Sequence, residues 1–404
     1  MAQPKLRIKG FEGEWKEELL STIATFSKGR GYSKADICEK GTPIVLYGRM
    51  YTNYSTEIHN VDTFAVLKDN PVISKGNEII IPASGETPED IACASVIKSK
   101  GIIIGGDLNI VSVDSSDYDP SFTALSITYG DAHRELSKSA QGKTVVHLHN
   151  SEISKSKLRY PLSIEEQRQI AAYFKSLDSL IQTTTKKIES LKQLKSASLV
   201  SMFPQGDEKA PRVRFKGFKG EWLCKKIGDC LDEIVTKNCP IQTDFILSLT
   251  IKDGVLPYSE KGNIGNRAKE DVSQYKLAYP NTIVLNSMNI LIGAIGLCDY
   301  FGCVSPVYCV FQCKENVNRR FIFDIMANRK FQIELKKIAT GVMEIRQKVS
   351  IKELIEKKIL IPSIEEQIRI SSYFSSLDSQ ISIQEHRLEK LKQIKASCLE
   401  KMFV

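Results

Sequence analysis

Pro161-Leu162-Ser163-Ile164-Glu165-Glu166-Gln167 returns 200 residues later in the core Ser163–Gln167, as Pro362-Ser363-Ile364-Glu365-Glu366-Gln367. The likeness continues downstream. Tyr173-Phe174 matches Tyr373-Phe374, Leu177-Asp178-Ser179 matches Leu377-Asp378-Ser379, Leu191-Lys192-Gln193 matches Leu391-Lys392-Gln393, and Met202-Phe203 matches Met402-Phe403. Each copy opens with a proline and a Ser-x-x-Glu capping box, whose acids also suit the helix dipole. Apolar residues then recur every three or four positions. They are Phe174, Leu177, Ile181, Ile188 and Leu191 in one copy, and Phe374, Leu377, Ile381, Leu388 and Leu391 in the other. This spacing predicts two long amphipathic helices, each roughly 55 Å at 1.5 Å per residue.

A helix with one apolar stripe cannot bury it alone. Two copies in one chain are therefore expected to pair, as an antiparallel coiled coil with pseudo-two-fold symmetry. The alternative is that each helix packs on its own domain. Thr184 and Gln384 break the stripe at the same point and suit a register-fixing role.

A second motif precedes each helix by a long interval. Gly10-Phe11-Glu12-Gly13-Glu14-Trp15 recurs 207 residues later as Gly217-Phe218-Lys219-Gly220-Glu221-Trp222, and these are the only two tryptophans. Between the motifs the copies share little sequence. Apolar runs at 78–81, 101–104, 282–285 and 304–312 read as strands, and 328–337 as a short helix. The fold class is thus α+β. The boundaries expected are a β-rich domain at 1–160, a helix at 161–203, a linker at 204–211, a second β-rich domain at 212–360 and a second helix at 361–404.

The 404 residues carry a formal charge of +8, which favours an anionic partner such as nucleic acid. No apolar run reaches the roughly 18 residues of a membrane helix, and the first residues lack a signal-peptide core. A reducing cytoplasm is expected, with the ten cysteines as thiols. Cys298, Cys303, Cys309 and Cys313 lack the CxxC spacing of zinc ribbons and read as buried thiols.

Catalytic signatures are weak. Gly142-Lys143-Thr144 lacks the upstream glycine of a phosphate loop, where Ser137 stands. No Asn-Pro-Pro-aromatic or Asp-Pro-Pro-aromatic tetrapeptide is present, as an adenine amino-methyltransferase would require. Glu334-Leu335-Lys336 with Asp324 upstream has the residues of a metal-dependent nuclease, but in a helix-like stretch. His147 and His149 read as a strand edge.

Taken together, the duplicated helix starts, the Tyr-Phe-x-x-Leu-Asp runs and the paired Gly-Phe-x-Gly-Glu-Trp motifs resemble the specificity subunits of type I restriction-modification systems over essentially the full length. That resemblance implies two target recognition domains reading a split site on double-stranded DNA. The paired helices would be a ruler, so that one helical turn inserted after Leu191 alters only the gap. It implies two methyltransferase and two restriction subunits as partners, with S-adenosylmethionine, ATP and magnesium bound by them and no cofactor, metal or catalytic residue in this chain. The competing classes are a duplicated metal-dependent nuclease or fused DNA modifier, and a coiled-coil scaffold that touches no nucleic acid.

The resemblance further implies a glycine-bearing loop before each helix, which in such subunits often faces DNA. Here it carries Lys143, Thr144 and His147 in the first copy, and Arg346, Gln347 and Lys348 in the second. Arg346 suits guanine and Gln347 adenine. A second loop follows a strand in each copy, with Ser84 and Glu86, and with Asn286 and Asn289. Glu86 suits a cytosine amino group or a helix cap. Arg30 and Arg49 suit phosphates. For each residue the alternative is a solvated loop tip.

Overall fold

The computed structural model describes residues 3–140, 146–251, 254–260, 271–339 and 349–403. The chain divides into two compact units. One is Met1–Lys187 with Gln384–Val404, and the other is Ile188–Ile383. Both boundaries fall inside the long helices, Ile164–Ser201 and Ile364–Phe403. Each unit therefore contains the first part of one long helix and the last part of the other.

Within each unit those two parts run antiparallel. In the first, Lys395 donates to Asp178 at 2.5 Å, and the Tyr173 hydroxyl lies 3.4 Å from the Cys398 sulfur. In the second, Lys195 donates to Asp378 at 2.5 Å, and Ser198 meets Tyr373 at 2.9 Å. Phe174, Leu177, Ile188, Phe374, Leu377 and Ile381 are buried, while Ile181, Leu191, Leu388 and Leu391 are partly buried. Thr184 is buried, but its hydroxyl donates to its own helix at the Leu180 carbonyl, 2.7 Å away.

The two interiors, which share little sequence, share one frame. In the first unit a sheet orders Ala24–Lys28, Leu108–Val113, Glu78–Pro82, Ser95–Ile97 and Glu57–Ile58. In the second the order is Leu231–Ile234, Tyr308–Cys313, Thr282–Asn286 and Ile295–Cys298. The first four positions correspond, and their pairing is antiparallel in both. Burial on both faces explains why a continuous apolar run survives where identity does not. Ile79 and Ile81, like Ile283 and Leu285, face the large core that includes the long helices. Ile80 and Val284 face smaller cores on the opposite side.

Each large core closes on an aromatic cluster. Trp15 packs edge-on against Phe122 at 5.6 Å, and Phe174 and Phe403 complete the group. Trp222 packs against Phe321 at 5.7 Å, with Phe374 and Phe203. The glycines of the tryptophan motif supply turns that other residues resist: Gly10, Gly13, Gly217 and Gly220 all have positive φ, between 83° and 103°.

Two expectations are corrected. The apolar stretch 304–312 is not one strand. It splits into Gly302–Val304 and Tyr308–Cys313, because Pro306 cannot donate to a ladder and sits in the turn between them. The capping box is only half formed. Glu166 N–H and Glu366 N–H donate to Ser163 and Ser363, but the glutamate side chains are claimed elsewhere. Glu166 forms a two-bond ion pair with Arg7 at 2.7 and 2.8 Å, and Glu366 one with Arg214 at 2.6 Å in both bonds. The next residue, Gln167 or Gln367, accepts from Asp119 N–H or Asn318 N–H at 2.8 Å. The repeated Glu-Glu-Gln thus fastens each helix start to its own unit.

Beyond the shared frame the units diverge. The first adds a small sheet of Ile103–Ile104, Thr42–Val45, Phe64–Ala65 and Ile37–Cys38; the second adds the pairs Leu247–Thr250 with Gly254–Pro257 and Lys276–Ala278 with Gly302–Val304.

Candidate nucleic-acid interface

The strand Glu78–Pro82 ends where Leu108–Val113 begins, with Pro82 opposite Leu108, and Lys28 lies opposite Asn109 on the other side. One end of the first sheet therefore gathers three chain segments: Lys28 to Arg30, Ala83 to Glu86, and Asp107. A fourth joins them. Val146 and His147 pair with Gly85 and Ser84, and Leu148 N–H donates to the Ala83 carbonyl at 3.0 Å. Of the residues singled out in the sequence, Arg30, Ser84, Glu86 and His147 are thus brought to one sheet end. Ser84 Oγ lies 3.2 Å from His147 Nδ1.

The second unit repeats the arrangement. Thr282–Asn286 leads into a loop whose Ser287 carbonyl accepts from Val349 N–H at 3.1 Å. Asn286 Oδ1 accepts from Met288 N–H at 3.0 Å, which fixes the loop, and Met288 and Asn289 are exposed. In each unit, then, the loop after the strand touches the segment that follows the glycine-bearing loop. Lys143, Thr144, Arg346, Gln347 and Lys348 themselves lie outside the described residues.

Local sequence builds the first site closely. Gly29 admits no side chain, because a Cβ there would stand 1.9 Å from the Gly105 carbonyl oxygen. Arg30 beside it is exposed. Glu86 is exposed and does not cap; Thr87 does, accepting from Asp90 N–H at 3.1 Å. The Tyr51 hydroxyl donates to the Ser84 carbonyl, and burial pushes its pKa well up, so it remains a donor. Arg49 is less available than the sequence suggested. Its side chain is 18% exposed, with Asp62 at 4.0 Å.

One residue escaped the sequence reading. Asn109 is fully buried, and its amide donates to the carbonyls of Leu148 at 2.9 Å and Pro82 at 3.4 Å. It ties the two loop-bearing segments together from beneath. A lone asparagine in the apolar run Leu108-Asn109-Ile110-Val111 was the signal available.

The nuclease-like residues do not converge. Glu334 binds Lys337 at 2.6 Å and Lys357 at 3.3 Å, whereas Asp324 binds Arg320 at 2.9 Å. Among the described residues no group of His, Cys, Asp and Glu has the geometry to hold a metal ion, and no helix is long and apolar enough to cross a membrane. Cys298, Cys303 and Cys309 are buried thiols, and burial pushes Cys303 up to about 11.

Residues 12–193 and 219–393 each match the type I restriction modification DNA specificity domain. Two curated relatives come from Methanocaldococcus jannaschii. The putative type I restriction enzyme MjaX specificity subunit is 23% identical over 59% of this chain, and the MjaVIII specificity subunit 25% identical over 64%. The matches span 56% and 64% of those relatives' lengths. Among solved structures, the S subunit of a type I restriction-modification system from M. genitalium shares the fold at a TM-score of 0.64 and 15% identity. That match covers 100% of this chain and 99% of the other. A chain from a type I R-M complex matches at 0.51 and 14%, covering 97% of this chain and 98% of that one.

Proposed function

The chain belongs to the type I restriction-modification DNA specificity family, and we propose on that basis that it is a specificity subunit that reads a two-part double-stranded DNA site. Each unit reads one part through the loops at its sheet end. The observation that carries this reading is the repeated loop pairing, Leu148 with Ala83 and Val349 with Ser287. Two interiors with little common sequence keep the same loops in the same relation, as expected if the frame is fixed and the specificity varies.

In this reading the chain catalyses nothing. Methyltransferase subunits dock on it and modify adenine using S-adenosylmethionine, and restriction subunits supply ATP- and magnesium-dependent cleavage. The net charge of +8 suits a polyanionic partner. The test is to express the chain with its methyltransferase subunit and map modified adenines across the host genome. The expected result is one two-part motif with a constant gap. Metal-dependent cleavage of DNA by the isolated chain would instead favour an enzyme, and DNA binding that is weak and flat with salt would favour a scaffold.

A further inference from the structure

The helices Pro120–Tyr129 and Arg319–Ala327 occupy the same place in the two units. Asp119 caps one by accepting from Phe122 N–H, and Asn318 caps the other by accepting from Phe321 N–H. Both cap residues donate their own N–H to the glutamine that opens the long helix. Ser121 is therefore the counterpart of Arg320. These two unlike residues begin two unlike bridges to the long helix.

In the first unit, Ser121 Oγ donates to Glu57 Oε1 at 2.7 Å. Glu57 Oε2 takes Lys175, which stands on the long helix, at 2.9 Å, and His59 Nε2 at 2.9 Å. Lys98 lies 3.7 Å from Oε1. The Glu57 side chain is 12% exposed. Burial would push its pKa up, but the bonds from Lys175, Ser121 and His59 outweigh that and hold it down to about 2, so it is ionised at neutral pH. In the second unit, Arg320 reaches Asp378 on the long helix directly while bonding Asp324 at 2.9 Å, and Lys195 completes the group. The strand that carries Glu57 has no counterpart in the second sheet.

We propose that Glu57–Lys175 and Arg320–Asp378 are positioning contacts that fix the tilt of each recognition domain on its long helix, and thereby the gap between the two parts of the DNA site. This rests on the function proposed above. The physical reason is directionality. The hydrophobic packing beneath is non-directional, whereas charge-assisted bonds on a carboxylate are directional. Glu57–Lys175 and Arg320–Asp378 add such bonds farther along each helix, beyond the Glu-Glu-Gln clamp that holds its start. At roughly 17–20 Å from the pivot, the length of a strand, a tilt of about 10° moves a loop by about 3.0–3.5 Å, close to the roughly 3.4 Å of one base-pair step.

The experiment maps modified adenines in a host expressing the full chain with its methyltransferase subunit. The variants are Lys175→Met, Glu57→Gln, Asp378→Asn and Lys175→Arg. Lys175 is 56% exposed, so Lys175→Met leaves the core intact. The expected result is that both half-site sequences persist in the first three variants. Modification of sites with the gap changed by one base pair should rise at least fivefold, and Lys175→Arg should restore the single gap. A purely structural role would lower all modification without broadening the gap. The inference is overturned if the variants modify only the wild-type gap, or if Lys175→Met abolishes modification and Lys175→Arg does no better. A wild-type chain that directs modification to no two-part site overturns the proposed function itself, and this inference with it.

Discussion

The ring of Trp15 lies 6.2 Å from that of Phe403, edge to face, although one opens the first unit and the other closes the second long helix. Phe203 stands in the same relation to Trp222, at 6.0 Å. Each unit thus completes its core with the end of a helix that began elsewhere. Phe403 is 3% exposed, so Phe403→Ala should destabilise the first unit by about 3–5 kcal/mol. The two tryptophans report the units separately. In a Trp222→Phe background, fluorescence-detected unfolding of Trp15 should shift to lower denaturant. In a Trp15→Phe background, the Trp222 transition should hold. Equal shifts of both would refute the assignment of Phe403 to one core.

The pair Arg7–Glu166 makes a second, independent prediction. The Glu166 side chain is 1% exposed and that of Arg7 17%. Removing the arginine strands a buried carboxylate, at a cost of about 3–5 kcal/mol. Replacing both, as Arg7→Met with Glu166→Leu, should recover most of that loss, because the stranded charge is gone. Denaturant midpoints of the two single variants and the double variant decide the matter. Strict additivity would show that the pair is not coupled.

These contacts also mark what could be read in advance. The duplication and the long helices were legible because their motifs and apolar spacing recur, and the strands around 79–81 and 283–285 because they are continuous apolar runs. Glu166 was legible as a helix-start residue but not as an arginine clamp, since its partner Arg7 is remote in sequence and only the fold brings them together. Ser84, Glu86, His147 and Arg30 were found as loop residues, yet their convergence depends on strand register. Asn109 was hidden for the opposite reason: it sits inside an apolar strand, and its role lies in carbonyls that no side-chain pattern encodes. Glu57 carried no signal, because its strand belongs to one unit only.

Half-buried Glu57 and buried Asp324 should give opposite pH responses. Glu57 is held down to about 2 in the folded chain, against an ordinary value near 4.5. Its contribution is complete above about pH 4.5 and disappears as pH falls towards 2. Screening at its exposed lysine limits this to about 1–2 kcal/mol. Asp324 is pushed up to about 6, first by burial and against the pull of Arg320, and its Oδ2 has no hydrogen-bond partner. The folded chain therefore holds that proton more tightly than the unfolded one, and stability falls as pH rises from about 4 through 6. Asp324→Asn mimics the protonated form. At pH 8 it should be more stable than wild type by about 1–3 kcal/mol, with the advantage vanishing below pH 4. Thermal unfolding across pH, read from Trp222, provides the test. A pH-independent difference between the two proteins would show that Asp324 does not titrate in this window.

The loops at the first sheet end separate two kinds of DNA contact. Arg30 is exposed beside Gly29, on backbone that hydrogen-bonds to Ile104 and Leu108. A phosphate contact from such a rigid turn carries no base information. Arg30→Ala should weaken binding to cognate and unrelated duplexes alike, and reduce the slope of log affinity against log salt by about 1. His147 differs, because its ring is held against Ser84 within a strand pair and faces outward from it. If it meets a base edge, His147→Ala should leave the salt slope unchanged and relax one position of the first half-site, costing about 1–3 kcal/mol there. The second half-site, read by the loops around Asn286 and Asn289, should keep its sequence in both variants. Titrations at several salt concentrations, paired with maps of modified adenines, distinguish these outcomes. If Arg30→Ala changes the sequence read, or His147→Ala changes only the salt slope, the roles are reversed. If neither variant changes anything, the sheet end does not face DNA.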